Sequence, residues 1–232
     1  MILQAGLPVL MPWISVVKTV LFAWYGGQET GNAISDVLFG DVNPSGRLSV
    51  TFPKRLEDTP AFLNFGKTDR EIVYGEGVFV GYRYYEKLQS PPLFYFGHGL
   101  SYGGFIYSHL RVPGIFEPRS DFKLPISLDV TNKCDGFGMD VVQVYISDLD
   151  SSIQRPRKEL KAFTKIGLDR DETKTAHLEI DKSALAFWSE EDQKWKAEAG
   201  WFRVIISRSA DPLAESFDAD FHLPQTLFWT GL

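Results

Sequence analysis

From Asp121 onward the chain alternates apolar and polar residues one for one, and few folds accept that pattern. Phe122, Leu124, Ile126, Leu128 and Val130 alternate with Lys123, Pro125, Ser127, Asp129 and Thr131. In an extended chain this puts one set on each face of a sheet. A turn at residues 132–136 leads into Val142, Val144 and Ile146, which keep the two-residue period. Further strand-like runs lie at 160–166, 175–180, 194–197, 201–207 and 217–221, with a short helical connection expected over 183–188. About seven short strands separated by turn signals imply an antiparallel β-sandwich.

The first part of the chain obeys another rule. Residues 2–10 read as a buried strand stopped by Pro12, residues 14–19 as a helical turn or two, and residues 20–25 as a second buried strand. Gly26-Gly27 then opens the clearest helix, from Gln28 to Phe39, whose Thr30, Ala33, Ile34, Val37 and Leu38 follow helical spacing. Gly40 stands where a helix C-cap is expected, and Asn43-Pro44-Ser45-Gly46 makes a turn. Leu48, Val50 and Phe52 alternate along an expected third strand that Pro53 ends. Alternating strands and helices are α/β grammar. Three strands and one good helix cannot cover both faces of a parallel sheet, so this piece reads as a domain cut open on its N-terminal side.

Between the two halves lies a segment dense in rings and glycines, Tyr74 to Gly104. Taken alone it is either a hinge between two folds or the rim of a sugar site; its flanks favour the hinge, with glycines letting backbone approach ring faces. The aromatic share of 14% suits a β-rich or carbohydrate-handling protein. A net charge of −6 with no basic run argues against nucleic acid, and no apolar segment approaches a membrane span. The single Cys134, the lack of a glycosylation sequon and an N-terminus without a charged leader point to the cell interior. His98, His109, His177 and His222 stand far apart, so neither a metal nor a cofactor is expected.

Three patterns offer chemistry. Gly99-Leu100-Ser101-Tyr102-Gly103 matches the G-x-S-x-G elbow of serine hydrolases, which would make Ser101 a nucleophile, but that motif needs a strand before the serine and a helix after it. Gly26-Gly27 before a helix resembles an anion cradle, yet it lacks a lysine and Glu29 in the first turn would repel phosphate. Glu29, Asp36, Glu71, Glu76 and Glu86 are the acids of the aromatic half, with Glu76 the best placed on a loop rim. Glycosidases need two carboxylates flanking one bond, and no spacing pairs Glu76 with another acid.

The longest motifs occur in a fixed order: LPVLMPW at 7–13, AWYGGQETGNAISDVLFGDVNPSGRLSVTFPKRLEDTP at 23–60, YGEGVFVGYRYYEK at 74–87, LFYFGHGLSYGGF at 93–105, then VVQVYIS and RPRKELKAFTKIGL between 141 and 168. In these the chain resembles the C-terminal portion of a glycoside hydrolase family 3 β-glucosidase of the fungal and yeast type. The resemblance implies an α/β-plus-all-β chain. Residues 1–107 would be the C-terminal part of an α/β sandwich domain, and residues 108–232 a fibronectin type III-like β-sandwich. It implies retaining hydrolysis of terminal β-D-glucosyl residues by the whole enzyme, with the nucleophilic aspartate and acid/base glutamate both upstream of residue 7. No residue here then inherits a catalytic, cofactor or metal role, and the isolated chain is expected to be inactive. β-Glucosides or glucose would be partners only in a complete enzyme, with an upstream polypeptide as a possible complement. The rival expectation is a non-catalytic carbohydrate- or partner-binding module; a serine hydrolase using Ser101 is more remote. Where the family reads GLSYT this chain has Gly103, implying a looser turn there. Residues from about 108 are expected to fold alone.

Overall fold

In the computed structural model, which describes residues 1–66, 71–117, 119 and 121–231, the strand expected over 2–10 shrinks to β1 (Ile2–Leu3). Pro8 removes a backbone donor from the later part of that stretch. β1 runs parallel to β2 (Leu21–Phe22), and the Leu21 and Ala23 amides donate to the Met1 and Leu3 carbonyls at 2.9 and 2.7 Å. The helical turn between them is Ile14–Val16. At the head of α1 (Thr30–Phe39) the Thr30 hydroxyl donates to the Gly27 carbonyl at 2.6 Å. At its tail Gly40, at φ 86°, takes up the left-handed conformation that the sequence anticipates.

Two expectations in this half need correction. Leu48 to Phe52 forms no regular strand; Phe52 makes one bridge to Phe94, while Leu48 exchanges hydrogen bonds with His98 and Gly97 at 2.8 and 2.7 Å. Leu48 and Phe52 each reach across to the 94–98 segment, and Pro53, lacking an N–H, does not carry the pairing further. Conversely, α2 (Tyr82–Leu88) lies in the ring-rich segment, where tyrosines of middling helix propensity mask it. Gly81 at φ 54° starts it and Gln89 at φ 52° ends it.

The chain divides into two compact units: Met1–Tyr102 with Ser209–Pro212, and Gly103–Arg208 with Leu213–Leu232. Within Met1–Tyr102, Met11, Phe52 and Tyr85 are the only large apolar side chains buried among the described residues. α1 buries none of its residues, and Tyr25, Phe39, Phe65 and Tyr74 are almost wholly exposed. A stretch this apolar with so small a core leaves many of its large side chains at the surface.

The second unit has the complementary character. Its strands are β3 (Phe105–Arg111), β4 (Leu124–Asn132), β5 (Gly138–Asp148), β6 (Glu159–Leu168), β7 (Thr173–Ile180), β8 (Phe187–Ser189), β9 (Lys194–Ala197), β10 (Gly200–Ser207), β11 (Ser216–Leu223) and β12 (Leu227–Trp229). They form an antiparallel sandwich of a β3-β4-β7 sheet and a β11-β10-β5-β6 sheet, with a small β12-β9-β8 sheet beside it. Leu124, Ile126, Leu128 and Val130 point inward as the alternation requires, against Val142, Val144 and Ile146 of β5 and Phe202, Val204 and Ile206 of β10. The helical connection expected over 183–188 is half right. A 3-10 turn, Lys182–Ala184, is capped by Asp181, and β8 takes the rest.

One polar cluster sits inside this sandwich. Asp140, entirely buried, accepts from the Tyr107 hydroxyl at 3.0 Å and from the Val141 amide at 2.8 Å, and it pairs with Arg208 at 3.2 Å. Arg208 also donates to the Phe105 carbonyl and lays its guanidinium over the Tyr107 ring, 4.5 Å from the centroid. Burial, with the neighbouring Asp140 carboxylate, holds the Tyr107 phenol far above its usual pKa. β3, β5 and the end of β10 are thus joined by one buried charge that stays satisfied only while all three are in place.

Candidate functional site

In open parallel α/β sheets, ligands gather beyond the carboxyl ends of the strands, and here those ends belong to β1 and β2. Residues 4–8 follow β1; residues 23–27 follow β2 and lead to α1. The second loop holds an unusual residue. Trp24 has φ 49°, a conformation costly for a bulky side chain and worth about 1–3 kcal/mol of strain. Its ring is held edge-on to Phe22 at 4.6 Å and to Phe52 at 6.4 Å. Phe52 continues to Phe94 at 6.3 Å, and Phe94 stacks on His98 at 5.4 Å. A wall of five rings therefore backs the β2 end. The His98 imidazole is kept below its usual pKa, first by burial and then by the Arg47 charge. On α2, burial pushes the Tyr85 phenol up to about 12, assisted by Asp58 and Tyr84.

The residues singled out in the sequence do not converge on this wall. Ser101 donates to the Pro44 carbonyl at 3.0 Å, bends precede β3, and no helix follows, so the strand-turn-helix context of a nucleophile elbow is absent. Its neighbour Tyr102 is tied down twice, by an amide bond to the Asn43 side chain at 2.9 Å and a hydroxyl bond to the Val37 carbonyl at 2.6 Å. The pseudo-elbow is a clasp that fastens the 99–102 turn to the end of α1. Glu29 precedes α1 and accepts from Asn32 at 2.5 Å, which serves the helix start. Asp36 lies within α1, Glu71 on an exposed stretch, Glu76 in the turn before α2, and Glu86 on α2. Glu29 and Asp36 share α1 and its start, and the other three acids lie on separate stretches of the chain.

Gly103 is packed tightly where the sequence suggested looseness. It has φ 130°, and a Cβ placed on it would lie 2.7 Å from the Cys134 Cα. A methyl branch has no room there, and Cys134, which is buried, fills the space beside it. In the second unit a cleft of ≈ 550 Å³ is lined by Leu110, Val112, Ile126 and Leu178, with Arg111 and His177 at its rim. Arg111 is already committed there. It grips Asp129 by two hydrogen bonds, 3.1 and 2.9 Å, and with Thr175 drives that carboxyl far below the usual range. Among the described residues no group of three or more His, Cys, Asp or Glu is arranged to hold a metal ion.

Sequence reasoning missed Trp24 as a site residue, though a signal existed: a bulky pair, Trp24-Tyr25, wedged between an apolar strand and a double glycine. Such a run forces the rings to the strand end.

Comparison with known proteins adds the wider frame. Residues 1–102 match the glycosyl hydrolase family 3 C-terminal domain, and residues 140–210 match the fibronectin type III-like domain. The chain is 43% identical to the probable β-glucosidase I of Aspergillus clavatus over 235 aligned positions, covering 100% of this chain and 28% of the relative. It is 44% identical to a putative β-glucosidase of Schizosaccharomyces pombe, covering 99% of this chain and 27% of that one. The crystal structure of the Kluyveromyces marxianus β-glucosidase in complex with glucose superposes with a TM-score of 0.90 at 44% identity, over 100% of this chain and 27% of that one. The chain thus spans a little over a quarter of the length of the relatives it matches.

Proposed function

The chain belongs to glycosyl hydrolase family 3, as its C-terminal domain followed by a fibronectin type III-like domain, and we propose that it serves a retaining β-glucosidase as the part that carries no catalytic carboxylate. The observation behind this reading is the end-to-end match. The chain aligns end to end with β-glucosidases while spanning a little over a quarter of their length, and the family resemblance puts the catalytic carboxylates upstream of that quarter. The parent reaction is hydrolysis of terminal β-D-glucosyl residues. A nucleophilic aspartate and an acid/base glutamate flank one bond, a covalent glycosyl-enzyme forms, and water releases it without metal or cofactor. Neither carboxylate is assigned to this chain, so its catalytic residues are none. Glucose, with which the Kluyveromyces marxianus enzyme is described in complex, is the product expected of the complete enzyme.

On this reading residues 1 to about 107 complete an α/β sandwich begun elsewhere. The exposed faces of α1 and of the 62–65 segment are docking faces for the rest of that sandwich. A complementing upstream polypeptide is the partner. Purified chain should give no turnover of an aryl β-glucoside, and turnover should appear when a family 3 barrel and upstream sandwich segment are supplied. Hydrolysis by the chain alone, surviving rigorous removal of host enzymes, would overturn the proposal.

A further inference from the structure

We propose that Asp135-Gly136 is a modification site, at which the backbone isomerises to isoaspartate, and that this single change loosens the second unit. An aspartate followed by glycine is the pairing most prone to this reaction, because no side chain hinders the glycine amide as it approaches the carboxyl. Asp-Gly occurs once in the chain, and Asn-Gly does not occur. The chemistry needs water and no cofactor. In the first step the Gly136 amide nitrogen attacks Cγ of the protonated Asp135 carboxyl. A C–N bond forms, the Cγ–OH bond breaks, and the hydroxyl leaves as water with the amide proton, closing a five-membered succinimide. In the second step water adds to the Asp135 main-chain carbonyl, and the bond from that carbon to the Gly136 nitrogen breaks. The main chain then runs through Cγ and is one methylene longer, at unchanged mass.

The turn between β4 and β5 leaves both reacting groups open. The Asp135 side chain is wholly exposed, and its ion pair with Arg170 is long, at 3.7 Å. Among the described residues no acceptor takes the Gly136 amide, so the attack sacrifices no hydrogen bond. A Cβ added to Gly136 would meet nothing within 4 Å, so the space around it is clear. The ends of the turn are held. The Asn132 side chain accepts from the Cys134 amide at 2.8 Å and donates to the Gly136 carbonyl at 2.9 Å, which confines the carboxyl and the amide to one small loop. Asp150, followed by the small Ser151, is the natural comparison, and its carboxylate is occupied by the Trp201 amide at 2.7 Å. Asn132 is also why the change matters. It is fully buried, and it donates to the Leu168 carbonyl at 3.0 Å, tying the turn to the end of β6. An extra methylene between Cys134 and Gly136 moves apart two groups that Asn132 holds at once. A buried amide left short of a partner destabilises the fold around it.

Ageing the full 232-residue chain at physiological pH and temperature tests this. Isoaspartate is detected by enzymatic methyl transfer to its new α-carboxyl and located by fragmentation of the tryptic peptide 134–157. A free peptide of residues 131–139 gives the rate of the unhindered reaction. Conversion at Asp135 is expected in the folded chain at a rate comparable with the peptide's. Gly136→Ala should slow it severalfold, and the open space at that Cβ lets the variant fold as the native chain does. Asp135→Glu, which would have to close a six-membered ring, should abolish the signal. Converted protein, separated by chromatography, should unfold at lower urea than unconverted protein. A folded chain that stays unconverted while the peptide converts overturns the proposal. Conversion at Asp150 in place of Asp135, or a rate indifferent to Gly136→Ala, does so as well. An unchanged urea midpoint for converted protein overturns the claim that the change loosens the second unit.

Discussion

Starting the second unit at Gly103 or at Ser108 should decide whether it folds. The sequence put the boundary at 107/108, while the compact unit begins at Gly103, and residues 103–107 carry the first three of the 7 residues of β3. Phe105 and Tyr107 are 6% and 7% exposed, and they pair with Asn132 and Val130 of β4. Deleting a buried Phe side chain costs about 3–5 kcal/mol, so losing both rings removes on the order of 6–10 kcal/mol. The deletion also strips Asp140 of the Tyr107 hydroxyl and Arg208 of the Phe105 carbonyl and the ring beneath it. Leaving a buried pair partly unsatisfied adds a penalty of a few kcal/mol. A whole domain is stable by only about 5–15 kcal/mol. Residues 103–232 are thus expected to unfold cooperatively in urea, monitored by far-ultraviolet circular dichroism. Residues 108–232 should be unfolded or molten in buffer. Matching midpoints for the two polypeptides would refute the reasoning, because the rings and the charge cluster would then contribute nothing.

Other changes test single contacts. Gly103→Thr should destabilise the second unit by about 2–4 kcal/mol, from φ strain and overpacking; Cys134→Ala should not rescue it, since the clash is with the Cys134 Cα, and a neutral melt would refute the close approach. Asp140→Ala should cost about 3–5 kcal/mol by leaving Arg208 and the Tyr107 hydroxyl without their acceptor, whereas Asp140→Asn should cost less, with urea midpoints as the measure. His98 is half-buried and held below its usual pKa, so well above about pH 6.5 it is neutral in both folded and unfolded chains. As pH falls below that value the unfolded chain takes up the proton first, and the first unit should lose stability. Limited proteolysis between pH 7.5 and 5.5 should show this loss, and His98→Phe should abolish it.

How much of this was legible in the residues differs sharply between the two units. β4 to β7 and β9 to β11 were readable because each strand buries one face, so its apolar set must recur at every second residue. β8 and β12 were not, since strands of three residues are too short to show a period. In the first unit the helix α1 was readable from its stripe and its Gly40 cap, which depend only on the helix itself. The strands were not, because two paired residues carry no period. α2 was hidden because aromatic residues signal packing more strongly than helix.

The candidate site was the least legible part, for a related reason. Ser101 and Glu76 attract notice through residue type and spacing, yet their surroundings assign them to turns. Trp24 attracts none, because what singles it out is a backbone angle. That quantity is not written in a one-dimensional pattern. The same holds for the ring-rich segment between the halves. Its Phe94 and His98 complete a wall begun by Phe22 and Phe52, so its rings stabilise the far side of the strand end from which Tyr25 projects. A rigid wall is what holds Trp24 in its strained conformation. If the wall is weakened by Phe94→Ala, the Trp24 strain has less to oppose it, and the near-ultraviolet circular dichroism of the first unit should fall at lower urea than its far-ultraviolet signal.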